Sequence, residues 1–244
     1  ILLNEPLSPY TSWRLGGPAD VLVLPASLDD VAAVQELARE RGVPVTVLGG
    51  GSNVLIADSG LRGVVVRIGR PLSAVRITDD VVEAECGAPF PRIGRLTVQR
   101  GLTGLEFAGG VPGTLGGALA MNAGAHDQST AAVVLEVTAV DARGRVVRLS
   151  REDMDFSYRS SRLQKEPGLV AVKAKLRLRE ASPAEVRERM RAFMERRRRT
   201  QPVGTKNAGS VFKNPPGDKA WRLIDEAGLR GFRIGDAQVS EKHC

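Results

Sequence analysis

A glycine-rich stretch without charged residues, from Ala108 to Ala125, places the strongest constraint on how this chain can fold. Six glycines fall within residues 108–124, and each glycine in a helix interior costs about 1 kcal/mol relative to alanine. We therefore expect no stable helix interior here, and the lack of charge argues against an ordinary solvated linker. An apolar backbone with few side chains indicates a wall against which a flat ring, such as a flavin or a nucleotide base, can lie.

A second glycine cluster directly follows a predicted strand. Residues 45–48 are apolar or β-branched, which is typical of a buried strand, and three glycines occupy 49–51. Because glycine adopts positive φ without a steric penalty, consecutive N–H groups in such a loop can curve around an anion. Ser52 and Asn53 add a hydroxyl and an amide. The cluster predicts a pyrophosphate-binding loop, and the alternative is a tight turn without a ligand.

This second cluster fits no standard nucleotide motif. No Gly-Lys-Ser/Thr follows residue 51, which excludes a Walker A loop. The dinucleotide fingerprint requires glycine or alanine at the position that Val54 occupies.

Composition narrows the class of protein. The chain is 42% hydrophobic and 26% charged, as in ordinary globular proteins, and no window approaches the roughly 20 apolar residues that cross a bilayer. Its two cysteines, Cys86 and Cys244, and its two histidines, His126 and His243, have neither disulfide-framework nor zinc-site spacing. We expect both histidines at the surface or in loops, no metal, and a reducing, cytoplasmic location.

The net charge of +7 is compatible with nucleic acid or with small polyanionic substrates. Aromatic residues make up 4% of the chain and do not alternate with basic ones, so a base-stacking surface is poorly supported. Four consecutive arginines, 196–199, leave a nucleic-acid-binding module as the non-enzymatic alternative. Their helical context favours a solvated basic helix end, and we expect a monomer with no nucleic-acid and no membrane partner.

The periodicity of the chain predicts mixed strands and helices. It begins as β-α-β: a strand at 21–24, a helix that Ser27 and Asp30 cap and Gly42 ends, and a strand at 43–48. The elements that follow are a strand at 64–66, hairpins at 75–85 and 135–149, a helix at 90–100, a half-buried strand with a basic face at 169–178, a helix that begins with Ser182, Pro183 and Glu185, a helix at 218–227 and a strand at 237–240.

Residues 206–215 form the first polar cluster with candidate chemistry. Gly209 lets the backbone bend so that the hydroxyl of Ser210 can point into a cleft. The chain has no Gly-x-Ser-x-Gly elbow and only two histidines, so a Ser-His-Asp triad is hard to build. Ser210 is therefore either a proton donor or simply a turn residue.

Residues 155–161 form the second polar cluster. The planar guanidinium of Arg159 suits a carboxylate or a developing enolate. The alternative is that Arg159 pairs with Asp153 or Asp155.

Several segments occur along the chain in a characteristic order. They are Thr-Ser-Trp-Arg-Leu-Gly-Gly-Pro-Ala (11–19), Gly-Gly-Gly-Ser-Asn-Val-Leu (49–55), Gly-Val-Pro-Gly-Thr-Leu-Gly-Gly-Ala (110–118), Met-Asn-Ala-Gly-Ala (121–125), Tyr-Arg-Ser-Ser (158–161) and Asn-Ala-Gly-Ser-Val-Phe-Lys-Asn-Pro (207–215). In this order they closely resemble the family of UDP-N-acetylenolpyruvoylglucosamine reductases, flavoenzymes of bacterial peptidoglycan precursor synthesis.

The resemblance implies an α+β chain: a two-subdomain FAD-binding fold of the vanillyl-alcohol-oxidase type, residues 1–68 and 69–200, and a smaller substrate domain, 201–244. It implies bound FAD, NADPH as reductant, and reduction of UDP-N-acetylglucosamine enolpyruvate to UDP-N-acetylmuramate. Hydride would pass from flavin N5 to C3, Ser210 would protonate C2, and Arg159 would stabilise the enolic intermediate. The enzymatic alternative is a flavin oxidase of the same fold, which passes electrons to oxygen.

The same resemblance assigns binding residues. Those expected at the cofactor are Gly49, Gly50, Gly51, Ser52, Asn53, Val54, Gly109, Gly110, Gly113, Thr114, Gly116, Gly117, Asn122 and Gly124. Those expected at the substrate are Tyr158, Lys206, Asn207, Lys213 and Asn214. The family's C-terminal glutamate has no counterpart up to Cys244, and Glu241 does not replace it. We therefore expect a C-terminally incomplete substrate domain, and the short connections predict the family's shorter subtype.

Overall fold

The computed structural model describes residues 1–207 and 209–243. Its strands are β1 (Leu2–Pro6), β2 (Pro18–Val23), β3 (Val45–Leu48), β4 (Leu61–Arg67), β5 (Val75–Thr78), β6 (Val81–Glu85), β7 (Leu102–Thr103), β8 (Gly124–Ala125), β9 (Gln128–Ser129), β10 (Val134–Val140), β11 (Val146–Ser150), β12 (Val170–Arg177), β13 (Arg179–Glu180), β14 (Arg233–Ile234) and β15 (Ala237–Gln238). Its α-helices are α1 (Leu28–Glu40), α2 (Phe90–Gln99), α3 (Leu115–Ala120), α4 (Arg162–Lys165), α5 (Pro183–Thr200) and α6 (Ala220–Glu226).

The first sheet has four strands in the order β1-β2-β4-β3. β1 runs antiparallel to β2, whereas β2, β4 and β3 are mutually parallel. The glycine loop 49–51 leaves the carboxyl end of β3, beside the end of β4. Ligands of open α/β sheets bind outside the carboxyl ends of parallel strands, so this edge is a natural binding position.

The second sheet has five antiparallel strands in the order β11-β10-β12-β6-β5. The basic face predicted for residues 169–178 lies on its central strand, β12. There Lys173 pairs with Glu83 at 2.5 Å, and Lys175 lies 4.0 Å from Glu136. The neighbouring strands thus supply the counterions of this face.

The core fills the space between the two sheets. Val66 of β4 belongs to the large buried cluster shared with α1, α2, α3 and the second sheet, and Val65 belongs to a smaller cluster on the opposite face. Adjacent residues of a strand point to opposite faces, so β4 is buried on both sides. An apolar run that is not interrupted by polar residues is expected for such a strand. The strand predicted at 45–48 forms as β3, but its predicted burial is wrong: only Leu48 is buried, because β3 lies at the edge of the sheet.

Helix boundaries follow the signals in the sequence, with one exception. Ser27 Oγ accepts from Asp30 N at 3.1 Å and Asp30 Oδ2 accepts from Ser27 N at 3.1 Å, which confirms the capping box of α1. Gly42 follows α1 with φ +61°, as its position predicts. α5 begins at Pro183 as predicted, but the side chain of its N-cap, Ser182, makes no capping hydrogen bond.

The glycine stretch contains a short helix, α3, that was not expected. α3 includes Gly116 and Gly117, and the buried side chains of Leu115, Ala118 and Leu119 anchor it in the core. A Cβ on Gly116 would lie 3.2 Å from Cys86 Cβ, closer than ordinary van der Waals contact. Glycine therefore allows the helix to approach β6 closely, and this packing outweighs the poor helix propensity.

The described residues after Thr200 form a thin layer around α6 and the β14–β15 pair. None of these residues is buried, and large apolar side chains among them are open to solvent, including Phe212 at 64% and Ile234 at 74% exposure. Within the described part of the chain, no helix is both long and apolar enough to span a bilayer.

Candidate active site

The two glycine clusters meet, so close that side chains would not fit between them. A Cβ on Gly49 would lie 2.6 Å from Thr114 Oγ1, and a Cβ on Gly50 would lie 2.9 Å from Gly113 Cα. Ser52 Oγ approaches from the same loop, 2.7 Å from where a Cβ of Gly113 would be. The loop after β3 therefore lies directly against the start of α3.

The segment after β1 holds the loop from its other side. Gly51 has φ +63°, and a Cβ there would lie 1.9 Å from the carbonyl oxygen of Tyr10. Ser12 N donates to Gly51 O at 3.0 Å. The guanidinium carbon of Arg67, at the end of β4, lies 4.8 Å from the centre of the Tyr10 ring.

Two buried polar atoms at this junction lack a hydrogen-bond partner among the described residues: Thr114 Oγ1 and Arg67 Nε. Buried polar atoms are rarely left unpaired, so each is a candidate contact for a ligand. A backbone surface without side chains, with a free hydroxyl and a free guanidinium N–H beside it, fits a dinucleotide that carries a pyrophosphate. The residues present therefore fit FAD.

The remaining predicted cofactor residues of the loop have different surroundings. Asn53 is exposed, whereas Val54 is half-buried and packs against the smaller core cluster. Gly117 is exposed on α3. A Cβ at Gly117 would meet Thr114 Oγ1 at 3.9 Å and, apart from the backbone of α3, no other described atom within 4 Å.

Gly109 and Gly110 contact helix α5. A Cβ on Gly109 would lie 2.9 Å from Met190 Cε, and a Cβ on Gly110 would lie 3.3 Å from Arg197 Cδ. These glycines, like Gly116, allow close packing of protein elements. Close packing against α5 and Cys86 therefore explains some of the glycines that the sequence analysis assigned to a surface for a flavin or nucleotide ring.

The second polar cluster docks on the end of the glycine stretch. Asn122 Nδ2 donates to Ser157 O at 3.0 Å, and Arg159 Nη2 donates to Gly124 O at 2.8 Å. The guanidinium carbon of Arg159 lies 5.3 Å from the ring centre of Tyr158, which is 53% exposed. Arg159 is thus fixed beside the predicted cofactor-binding backbone.

The alternative partners of Arg159 are occupied by other groups. Asp155 pairs with Lys165 at 2.5 Å, and Asp153 accepts from Ser150 N at 2.9 Å. The pairing of Arg159 with either aspartate is therefore wrong.

A cavity of about 690 Å³ lies between the glycine stretch, the end of α5 and the C-terminal segment. Its size is that of a small-molecule site. Among the residues that line it are Gly109, Gly110, Arg197, Asn207, Ser210 and His243. It therefore brings Ser210 to the glycine stretch, while Arg159 lies outside its lining.

Ser210 has a partner that sequence reasoning missed. Its exposed hydroxyl lies 3.1 Å from His243 Nε2. Burial, and then the charge of Arg197, lowers the pKa of His243. Neither spacing nor motif links two residues 33 positions apart, so only the fold could show this contact. His126 lies in the turn between β8 and β9, in agreement with the loop position expected for it. It is half-buried there and stacks on Phe193 with ring centres 4.1 Å apart.

The other predicted substrate residues lie near the cavity's edge or outside it. Lys206 and Lys213 are exposed and do not line the cavity. Asn214 Oδ1 accepts from Ala220 N at 3.0 Å, at the start of α6. Asn207 lines the cavity but bonds within its own loop, where its Nδ2 donates to Thr205 O at 3.0 Å. In this structure both asparagines therefore make local contacts.

A buried carboxylate holds the start of the glycine stretch against α5. Glu106, which is fully buried, accepts hydrogen bonds from Thr103 Oγ1 at 2.6 Å, Gly104 N at 2.8 Å and Gln128 Nε2 at 3.1 Å. The Oε1 atom that accepts from Thr103 also forms an ion pair with Arg189 Nη1 of α5 at 2.9 Å. Among the described residues, no group of three or more His, Cys, Asp and Glu side chains could hold a metal ion.

Two family models match this chain. One is described as an FAD binding domain and matches residues 19–150, and the other as the C-terminal domain of UDP-N-acetylenolpyruvoylglucosamine reductase and matches residues 201–244. UDP-N-acetylenolpyruvoylglucosamine reductase from Rubrobacter xylanophilus is 47% identical over 241 residues, which cover 99% of this chain and 80% of the relative. The enzyme of the same name from Heliobacterium modesticaldum is 47% identical over 242 residues, 99% of this chain and 77% of the relative.

Solved structures agree with these matches. The crystal structure of the reductase from Thermus caldophilus superposes with a TM-score of 0.87 at 34% identity, over 98% of this chain and 84% of that one. A solvent-stable cholesterol oxidase is similar with a TM-score of 0.53 at 22% identity, over 69% of this chain and 36% of its own, which supports the fold alone. The predicted α+β fold of the vanillyl-alcohol-oxidase type is confirmed. The chain therefore belongs to the family of UDP-N-acetylenolpyruvoylglucosamine reductases, FAD-dependent oxidoreductases of peptidoglycan precursor synthesis.

Proposed function

We propose that this chain catalyses the NADPH-dependent reduction of UDP-N-acetylglucosamine enolpyruvate to UDP-N-acetylmuramate. The observation that carries the proposal is the junction of the two glycine clusters at the unpartnered hydroxyl of Thr114, with Ser210 in the adjoining cavity. The relatives' name supports the reaction, and the basic, acid-poor surroundings of the cavity support a polyanionic substrate.

The proposed cofactor site consists of the loop 49–54 and the residues predicted between Gly109 and Gly124. Thr114 Oγ1 would donate to an oxygen of the cofactor, and the backbone N–H groups of the loop would surround its pyrophosphate. When bound, FAD would supply the hydride, from N5 to C3 of the enolpyruvyl group.

Ser210 is the proposed proton donor to C2. Its hydroxyl is exposed in the cavity and hydrogen-bonded to His243, so a proton given up by Ser210 can be replaced through the imidazole or from solvent. Arg159 is proposed to bind the carboxylate of the intermediate. A guanidinium has five N–H donors and the bond to Gly124 O uses one of them, so donors remain for substrate.

Substrate contacts are proposed for Tyr158, Lys206, Asn207, Lys213 and Asn214. The exposed lysines can reach a diphosphate from the rim, whereas the asparagines would have to exchange their local bonds for substrate. We propose domain limits at 1–68, 69–200 and 201–244, which the separate sheets and the unburied C-terminal segment support. The proposed location is the cytoplasm, in keeping with the scarcity of cysteine.

Two anaerobic half-reactions test the proposal. NADPH should bleach the flavin absorbance of the purified protein, and the enolpyruvyl sugar nucleotide should restore it. Ser210→Ala should leave the first step intact and slow the second by about 10²-fold or more, because only the second needs the proton. Ser59→Ala, in an exposed loop, is the control and should change neither step.

Other outcomes point to other functions. Reoxidation by oxygen alone would favour the flavin oxidase. A colourless protein with tight, salt-sensitive binding of DNA or RNA would favour the nucleic-acid module. An unchanged second step in Ser210→Ala would remove Ser210 from the mechanism.

A further inference from the structure

Arg197 stands apart from the other arginines at the end of α5. It is half-buried, whereas Arg196, Arg198 and Arg199 are exposed. Its side chain passes over Gly110, where a Cβ would lie 3.3 Å from Arg197 Cδ. It lines both the 690 Å³ cavity and a neighbouring cavity of about 340 Å³. The solvated helix end expected from the sequence therefore does not describe this residue.

The guanidinium of Arg197 has no counterion in the described part of the chain. Other arginines of α5 do: Arg189 pairs with Glu106 at 2.9 Å and Arg191 with Glu188 at 3.1 Å. The Arg197 guanidinium forms no hydrogen bond or ion pair with a described residue, and burial lowers its pKa. Because arginine stays protonated in proteins, a half-buried and unpaired guanidinium is a charge that a bound anion would stabilise.

The larger of the two cavities presents no opposing charge to Arg197, whereas Asp127 lines the neighbouring, smaller one together with Arg196. The described residues that line the larger cavity include two arginines, Arg197 and Arg198, and no aspartate or glutamate. The charge of Arg197 also acts on His243, the hydrogen-bond partner of Ser210, because it contributes, after burial, to the lowered pKa of His243. A cavity lined by one sign of charge raises the local concentration of ligands of the opposite sign.

We propose that Arg197 binds a phosphate group of the nucleotide that enters this cavity. The choice of nucleotide rests on the proposed function. Two ligands of the proposed reaction carry a diphosphate, namely the sugar nucleotide and the nicotinamide reductant. A guanidinium presents a planar fork that binds two phosphate oxygens at once, which a lysine cannot do. Because the Arg197 side chain lies next to Gly110, a phosphate bound to it would lie between the glycine stretch and Ser210.

Isothermal titration of the FAD-loaded protein separates the two ligands. The probes are UDP-N-acetylglucosamine, NADP⁺ and inorganic pyrophosphate. Arg197→Met should raise the Kd of at least one nucleotide by about tenfold or more, since charge-assisted hydrogen bonds are lost. The nucleotide affected identifies the source of the phosphate. Arg199→Met removes the same charge two residues away, from an exposed position outside both cavities, and should change each Kd less than about twofold.

FAD content and the melting temperature are measured on every variant. If Arg197→Met melts early, Arg197→Gln replaces it, because glutamine keeps a polar side chain but not the charged fork. Values of Kd within about twofold of the wild-type protein for all three probes would overturn the inference. So would an equal loss in Arg199→Met, or a wild-type protein that holds FAD yet binds none of the probes. A protein that fails to bind FAD would instead contradict the proposed function.

Discussion

At the scale of single residues, Glu106 shows how a polar group in the core can position a binding surface. Burial alone would raise the pKa of this carboxyl, but hydrogen bonds, first from Thr103 and Gly104 N, hold it below its ordinary value. Its ion pair with Arg189 ties the first residues of the glycine stretch to α5. The network thus holds the segment just before the glycine stretch against α5.

Glu106→Gln should lower the free energy of unfolding at pH 7 by about 2 kcal/mol, because Arg189 loses its counterion and the new amide N–H₂ faces other donors. Urea denaturation measures the difference. Glu188→Gln is the matched control: it breaks the exposed pair with Arg191 on the same helix and should cost less than about 0.5 kcal/mol. Equal losses in both variants would contradict the special role of the buried network.

The cost of Glu106→Gln should also depend on pH. A carboxyl whose pKa is lowered on folding stabilises the protein above its unfolded pKa, about 4.3 for glutamate, and loses this contribution as pH falls through its folded pKa. The difference between wild type and variant should therefore be constant near pH 7 and shrink below about pH 4. A difference that grows as the pH falls would have the wrong sign.

At the scale of elements, α3 shows why a glycine count misjudges local structure. Two glycines would weaken an isolated six-residue helix, yet this one forms because its apolar side chains are buried and Gly116 lets it pack on Cys86. The two glycines have separate roles. Gly116 faces the core, whereas Gly117 is exposed next to Thr114 Oγ1, on the side proposed for the cofactor.

Gly117→Ala should stabilise the apoprotein by about 0.5–1 kcal/mol, because alanine favours the helix and its Cβ meets no close atom. The same Cβ would occupy cofactor space, so we expect the Kd for FAD to rise about tenfold or more. Urea denaturation and flavin fluorescence titration of the apoprotein measure the two effects. Gly116→Ala, one residue earlier, should instead destabilise the apoprotein by about 1 kcal/mol through its contact with Cys86. Wild-type affinity for FAD in Gly117→Ala would contradict the proposed site.

At the scale of the whole molecule, periodicity and turn residues sufficed to predict most of the fold. The β5–β6 hairpin and its turn at Asp79, the capped helix α1 and the strand β12 are local patterns of apolar residues and turn formers. The edge strand β1 was missed because it is mostly exposed and carries no buried face to reveal it. Its pairing partner, β2, decides that it forms.

The site was predictable only where one stretch of chain holds the whole feature. Each glycine cluster is local, but their contact, the pairing of Ser210 with His243, and the cavity around Arg197 join segments far apart in sequence. Sequence spacing says nothing about which distant groups the fold brings together. Arg197 illustrates the limit: within a run of four arginines, only burial distinguishes it.

The layers of the molecule should also differ in resistance to proteolysis. None of the described residues after Thr200 is buried, whereas the sheets share a large core, so local opening of the C-terminal segment should need far less free energy. Under limited trypsin digestion we expect the first cuts after the exposed Lys206 and Lys213, with Lys173 and Lys175 of β12 protected. Mass spectrometry of early fragments identifies the sites. A ligand that contacts both Arg197 and Ser210 would connect the C-terminal segment to α5, so UDP-N-acetylglucosamine should slow these first cuts. An early cut in β12 would contradict the expected order of stability.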